Sequence, residues 1–269
     1  MELGTLNALE IQRENPKELM QVLKSLLQVH QKFLIATVCA SSSGLRITVD
    51  DAHSQQASAY FTSSCFADYT LRGADVQFRV PIRTLVECLG ISENPINSFK
   101  IIYQGVNEPV RLLIEEPEVL VISAKIHSLM PETLLDFDFQ EDHILAKCNM
   151  KTNALKEVFK DFDTSSQSVQ TTVNKDGISF STDGETGKCI TSIPSDSIQI
   201  EKLECEEEVT FHYRKAFISR MSSALQLAQK ASLCFDNRGV LRAQFKVEFK
   251  LSECCYIEFY TIPDDDSYD

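Results

Sequence analysis

The 269-residue sequence predicts an α+β fold built from two similar domains in tandem, each with two helices packed on antiparallel sheets. Three observations predict it. Short amphipathic helical stretches alternate with runs of period two. The order helix, strands, helix, strands occurs twice. Equivalent features also recur at a fixed spacing: the first and third helices open at Lys17 and Thr152, 135 residues apart, and the strands led by Gly44-Leu45 and Gly177-Ile178 lie 133 apart. The expected division is a domain over 1–127, a connector over 128–142 and a second domain over 143–269.

Taken in order, the first helix runs from Pro16 to about His30, with Leu19, Leu23, Leu26 and Leu27 on one side. The second follows Pro81, a residue suited to a first helical turn, and aligns Ile82, Leu85, Val86 and Leu89. The third carries Leu155, Val158, Phe159 and Phe162; the fourth carries Phe217, Met221, Leu225 and Ala228. Between them Leu45 to Val49, Val76 to Val80, Val119 to Ile126, Ile178 to Thr182, Val240 to Phe249 and Cys255 to Ile262 alternate with period two. Such alternation marks strands with one buried face, and the short turns between them favour antiparallel pairing. Ser128 to Asp142 follows neither period and carries a proline and several acids, as an exposed connector does.

A composition of 43% hydrophobic and 24% charged residues is that of a globular protein. The longest apolar run, Phe33 to Ala40, is interrupted by Thr37 and falls far short of the ~20 residues of a membrane helix. The N-terminus lacks the basic-then-apolar order of a secretory signal, so the chain is expected to stay inside the cell, without a membrane. Nine dispersed cysteines without a C-x-x-C read as reduced thiols, and the isolated histidines offer no zinc spacing. No cofactor or metal is expected.

The net charge of −13 argues against a polyanion partner until the charges are located. The helical windows 16–32, 79–91, 147–160 and 212–230 hold 13 of the 26 Lys and Arg but 3 of the 39 Asp and Glu, a balance of +10 against −23 for the remainder. A solvated helix face ordinarily mixes signs to gain pairs four residues apart. One-signed faces on an acidic body suit a polyanion, because Lys and Arg neutralise phosphates without reading bases.

Several strings, in this order and spacing, carry a family resemblance: Gly44-Leu45-Arg46-Ile47-Thr48-Val49 followed by Asp50-Asp51; Glu132 to Phe139 (ETLLDFDF); Asp236-Asn237-Arg238-Gly239; and Tyr256-Ile257-Glu258-Phe259-Tyr260 leading through Pro263 into an acidic tail. From about Leu19 to Asp266 the chain resembles the Rad-one-type subunit of the nine-one-one (Rad-nine/Rad-one/Hus-one) DNA-damage checkpoint clamp, within the PCNA-like sliding-clamp family. The loop after the second helix (Ser92 to Ser98) and the tail are short for that family.

The resemblance implies a nuclear, non-enzymatic subunit of a 1:1:1 ring with Rad-nine-like and Hus-one-like partners. That ring would encircle double-stranded DNA without sequence preference, be loaded by a clamp loader, and serve repair and checkpoint proteins. The basic helix faces are then expected in the DNA channel through Lys17, Lys24, Arg83, Lys151, Lys156, Lys160, Arg214, Lys215 and Arg220. A partner-peptide groove beneath the connector would use Leu45, Ile47, Leu129, Leu134, Ile262 and Pro263. Strand edges near Val119, Val121, Ile122 and Ile126, and near Lys188, Ile190 and Ile193, would close the ring.

Three rivals stand against this reading, one of them an acidic interaction scaffold that never touches DNA, which would make the helix charge pattern an accident. A 3′ to 5′ exonuclease needs carboxylates converging on metal ions, whereas Asp50-Asp51 sit at a strand end and Asp264-Asp265-Asp266 form a solvated run. A homotrimeric replication clamp is less close to these strings. Gly184 to Lys188 has the wrong spacing for a phosphate loop, with Cys189 where Ser or Thr is required, and there is no G-x-S-x-G.

Overall fold

The structure, a computed structural model, describes residues 7–27, 33–51, 53–91, 97–116, 118–185, 187–249 and 254–264. The chain divides into two compact units. Unit 1 comprises Met1–Val49, Ser58–Leu134 and Glu248–Cys255, and unit 2 comprises Asp50–Ala57, Leu135–Val247 and Tyr256–Asp269.

The first half of the chain gives β1 (Leu9–Glu14), α1 (Pro16–Ser25), β2 (Ile35–Ser41), β3 (Gly44–Asp51), β4 (Gln55–Thr62), β5 (Asp68–Leu71), β6 (Val76–Pro81), α2 (Ile82–Leu89), β7 (Ser98–Tyr103), β8 (Val110–Glu116) and β9 (Leu120–Ile126). The second gives β10 (Ile144–Lys151), α3 (Thr152–Lys160), β11 (Ser168–Asn174), β12 (Gly177–Gly184), β13 (Gly187–Pro194), β14 (Ile200–Cys205), β15 (Val209–Arg214), α4 (Lys215–Arg220), α5 (Ser222–Leu227), β16 (Lys230–Asp236), β17 (Leu241–Glu248) and β18 (Cys254–Thr261).

The two units repeat one plan. Strands in the order β5-β1-β7-β8-β9 in unit 1 match β14-β10-β16-β17-β18 in unit 2, and β4-β3-β2-β6 match β13-β12-β11-β15. Pairings within both units are antiparallel, as the alternation and short turns require. The stripe Leu19, Val22 and Leu23 of α1 is buried, as are Leu85, Val86 and Leu89 of α2, and the two helices pack on each other. In unit 2, α3 packs on α5 through buried faces that include Leu155, Val158 and Leu225. These faces supply most of the helices' stability, since isolated helices this short do not hold.

Three expectations need correcting. The first helix ends at Ser25, with Leu26 and Leu27 closing the turn through N–H bonds to Leu23 O and Lys24 O (both 3.1 Å); His30 lies outside the described residues. The third helix ends at Lys160, so Phe162 lies beyond it, its ring 5.1 Å from that of Phe159. The fourth helix is two short ones, because the Met221 amide bonds three residues back to Ile218 O (3.1 Å) and tightens the backbone there.

The stretch 130–140 holds neither helix nor strand, and each end is fastened within its own unit. In unit 1, Leu129 and Arg79 exchange backbone bonds (2.8 and 3.2 Å) on the outer edge of β6, and Gln77 Nε2 donates to Glu132 O (2.9 Å). In unit 2, the rings of Phe137 and Phe139 lie 6.0 and 5.8 Å from Tyr260, and the Arg238 guanidinium donates to Phe137 O and Asp138 O while pairing with buried Asp236. Among the described cysteine side chains all eight are free thiols, and burial pushes the Cys148 thiol up to about 12.

Candidate nucleic-acid interface

The exposed side of α1 presents Lys17, Gln21 and Lys24 one turn apart, opposite its buried leucines. Lys24 lies in the last turn, where the helix dipole favours a cation. Lys151, the last residue of β10, is exposed too. Among the described residues these three lysines make no ion pair.

Of the remaining expected channel residues, all but Arg83 are engaged. Lys156 Nζ reaches Ala228 O at 3.4 Å, and Lys160 pairs with Glu157 at 2.6 Å. Lys215 Nζ donates to Asp163 O and Thr164 O, both at 2.7 Å, tying down the loop after α3. Arg214 Nε contacts Asp264 Oδ1 at 3.1 Å, and Arg220 forms an ion pair with Asp51. Arg83 is half-buried, and its Nε has no hydrogen-bond partner among the described residues. The one-signed faces read from the sequence are therefore partly compensated by acids and carbonyls brought from elsewhere in the chain. Asp264 in particular is not simply a solvated acid. Its N–H donates to His212 O (2.7 Å) and its carboxylate meets Arg214.

Of the expected groove, Leu45 and Ile47 are core residues of unit 1, 4% and 2% exposed, because β3 turns them inward while Arg46 faces out. They cannot offer a surface to a partner. Leu129 is exposed and Leu134 half-buried in unit 1; Ile262 and Pro263 line a cleft of about 240 Å³ in unit 2 with Ser54, Arg214, Phe217 and Asp264.

The expected edges also divide. Val119, Val121 and Ile190 are 68%, 65% and 61% exposed, and Lys188 is exposed. Ile122 is half-buried, while Ile126 and Ile193 are 3% and 5% exposed and belong to the cores of their units. Within the described pairings, β9 has β8 as its one neighbour and β13 has β12.

Of the acids considered for nuclease chemistry, Asp265 and Asp266 lie outside the described residues, and Asp50 and Asp51 hold the backbone and a cation. Asp50 Oδ1 accepts the His53 N–H at 3.0 Å, as acids do in turns, and Asp51 meets Arg220. Among the described residues no group of three or more His, Cys, Asp or Glu side chains could hold a metal ion, and no helix is long and apolar enough to cross a membrane.

The family model described as "Repair protein Rad1/Rec1/Rad17" matches residues 8–247. The chain is 37% identical over 266 residues to "Cell cycle checkpoint protein RAD1 homolog mrt-2" of Caenorhabditis elegans, covering 99% of this chain and 98% of the relative. It is 30% identical over 261 residues to "Cell cycle checkpoint protein RAD1" of Homo sapiens, covering 94% and 90%. A more distant match, 23% over 232 residues with 83% and 86% covered, is "Proliferating cell nuclear antigen" of Chaetomium thermophilum, in keeping with the duplicated sliding-clamp fold. With a matching family model over most of its length and relatives at 30% identity or more, the chain belongs to the Rad1/Rec1/Rad17 family of repair proteins.

Proposed function

We propose that this chain is a non-enzymatic subunit of a heterotrimeric DNA clamp that acts in the nucleus as a platform for DNA-damage checkpoint signalling and repair. The observation that carries the reading is the pair of strands β9 and β13. Each is an edge of its sheet within the described pairings and presents apolar side chains outward. Such edges call for a partner strand, and a head-to-tail contact of two different edges closes a ring. The kind of ring we read for it is a 1:1:1 assembly with Rad-nine-like and Hus-one-like neighbours, a reading that family membership supports. The exposed side chains of Leu129 and Ile262 are the apolar groups offered to partner peptides.

Duplex DNA would meet the exposed lysines of α1 and β10 through phosphate contacts, which fix no sequence and permit sliding. The assembled ring carrying Lys17→Ala, Lys24→Ala and Lys151→Ala is expected to stay trimeric and to bind DNA less tightly at low salt. Its salt dependence should flatten by roughly 0.9 for each phosphate that is no longer neutralised. An intact ring with an unchanged slope would remove these lysines from the DNA face.

A catalytic role is not proposed, because Asp50 and Asp51 are committed to a turn and an ion pair. Highly purified chain is expected to leave DNA intact in Mg²⁺ or Mn²⁺. Degradation that disappears in the Asp50→Ala, Asp51→Ala variant would establish the nuclease instead.

A further inference from the structure

Arg214 and Arg220 bracket α4 and share one aromatic ring, their guanidinium carbons 6.0 and 5.0 Å from the centroid of Phe217. Each also carries a carboxylate delivered from a distant part of the chain. Asp264 arrives after β18, fixed by its N–H bond to His212 O, and Asp51 arrives from the end of β3. All these residues lie in unit 2. The Arg220–Asp51 side chains are the less exposed pair, at 31% and 14%, against 61% and 21% for Arg214–Asp264. Lys160–Glu157 differs in kind: it is a local pair on one helix with both side chains exposed, a geometry of little consequence.

We propose that Asp51 and Asp264 are built-in competitors of backbone phosphate, which keep Arg220 and Arg214 as a latent phosphate site. This rests on the reading of the chain as a DNA clamp subunit and adds how its DNA face is regulated. A guanidinium takes carboxylate and phosphate through the same forked donors, so one can replace the other with little rearrangement. Phe217 keeps both guanidinium groups in place whichever anion they hold. Salt dependence arises when bound cations release the counterions of DNA. An arginine already neutralised by its own chain adds little to that release until its carboxylate leaves. In the resting ring this chain's share of the slope then comes from Lys17, Lys24 and Lys151, and the arginine pair adds to it only when unlatched. The more exposed Arg214–Asp264 latch opens first.

The test is the salt dependence of duplex DNA binding by the assembled ring. Asp51→Asn with Asp264→Asn is expected to tighten binding at low salt and steepen the slope by roughly 1.8, about 0.9 for each cation released. Adding Arg214→Ala and Arg220→Ala should return the slope to the parental value, while the same two substitutions in the parental ring change it little. Asp142→Asn with Asp176→Asn removes the same charge from exposed acids that touch neither arginine and should leave the slope unaltered. Should the double variant fail to assemble, Asp264→Asn alone tests the more exposed pair, with an expected steepening of about 0.9. An unchanged slope in the Asn variants, with the lysine variant still flattening it, overturns the latch and leaves the clamp reading intact. If the lysine variant also changes nothing, the DNA face itself is misplaced. Steepening in the Asp142, Asp176 control would reduce the effect to general charge and likewise sink the latch.

Discussion

Alanine at Gly44 is expected to destabilise the protein by an amount on the order of 2–5 kcal/mol, a large fraction of the stability of an ordinary domain. Gly44 opens β3 with φ 145°, and a Cβ there would stand 2.0 Å from Phe61 O and 2.9 Å from Ser63 N. Both are backbone atoms of the adjoining strand region and cannot swing aside. Gly177 is its counterpart in the repeat, with φ 152° and a Cβ position 2.3 Å from Ile193 O, and Gly177→Ala should cost a similar amount. Gly73 supplies the comparison: its φ is 92° but no atom lies within 4 Å of its Cβ position, so only conformational strain is added. Denaturant titration should therefore show a much lower midpoint for Gly44→Ala and Gly177→Ala than for Gly73→Ala. Equal midpoints would mean that the strands yield and that close approach is not what requires glycine.

Carboxylates placed on the two apolar edges are expected to abolish ring assembly while sparing the fold. Val121 on β9 and Ile190 on β13 are mostly exposed, so Val121→Asp and Ile190→Asp have little to disturb inside either unit. In an assembled edge the same side chains would be covered, and an unpaired buried charge costs about 3 kcal/mol or more, roughly a hundredfold in affinity. Size-exclusion chromatography of each variant mixed with the other two subunits should show a folded chain eluting apart from them. Co-elution at full strength would mean that the ring closes through other surfaces. Because the edges are different strands, each variant should disrupt a different one of the chain's two junctions.

The duplication and the alternation of helices and sheets were legible because they rest on periodicity, which the sequence carries directly. The groove was less so. Alternation in Leu45-Arg46-Ile47-Thr48-Val49 shows that one face is covered, but not by what; the structure covers Leu45, Ile47 and Val49 with the core of unit 1. Similarly, the stripe from Phe217 to Ala228 indicates a helix without revealing that the backbone tightens at Met221, since the apolar positions stay in phase across the break. The charge pattern located the cations but not their counter-ions. Asp51 and Arg220 are 169 residues apart, and no local rule joins them. That Lys17 and Lys24 face outward was readable because both lie on the same helix as the stripe they oppose.

The backbone rung between Leu129 and Arg79 has a counterpart that the repeat spacing identifies: Asp264 on His212, offset by 135 and 133 residues. The chain leaving each unit's last strand is thus caught on the equivalent strand at the equivalent place, by Leu129 in one repeat and Asp264 in the other. Their side chains have since diverged, from Leu129 with its partly apolar successors to a run of aspartates. The rung depends on main-chain atoms alone and is indifferent to that divergence. A change of side chain at either position therefore leaves the turn out of the last strand closed, since a main-chain bond closes it in both repeats.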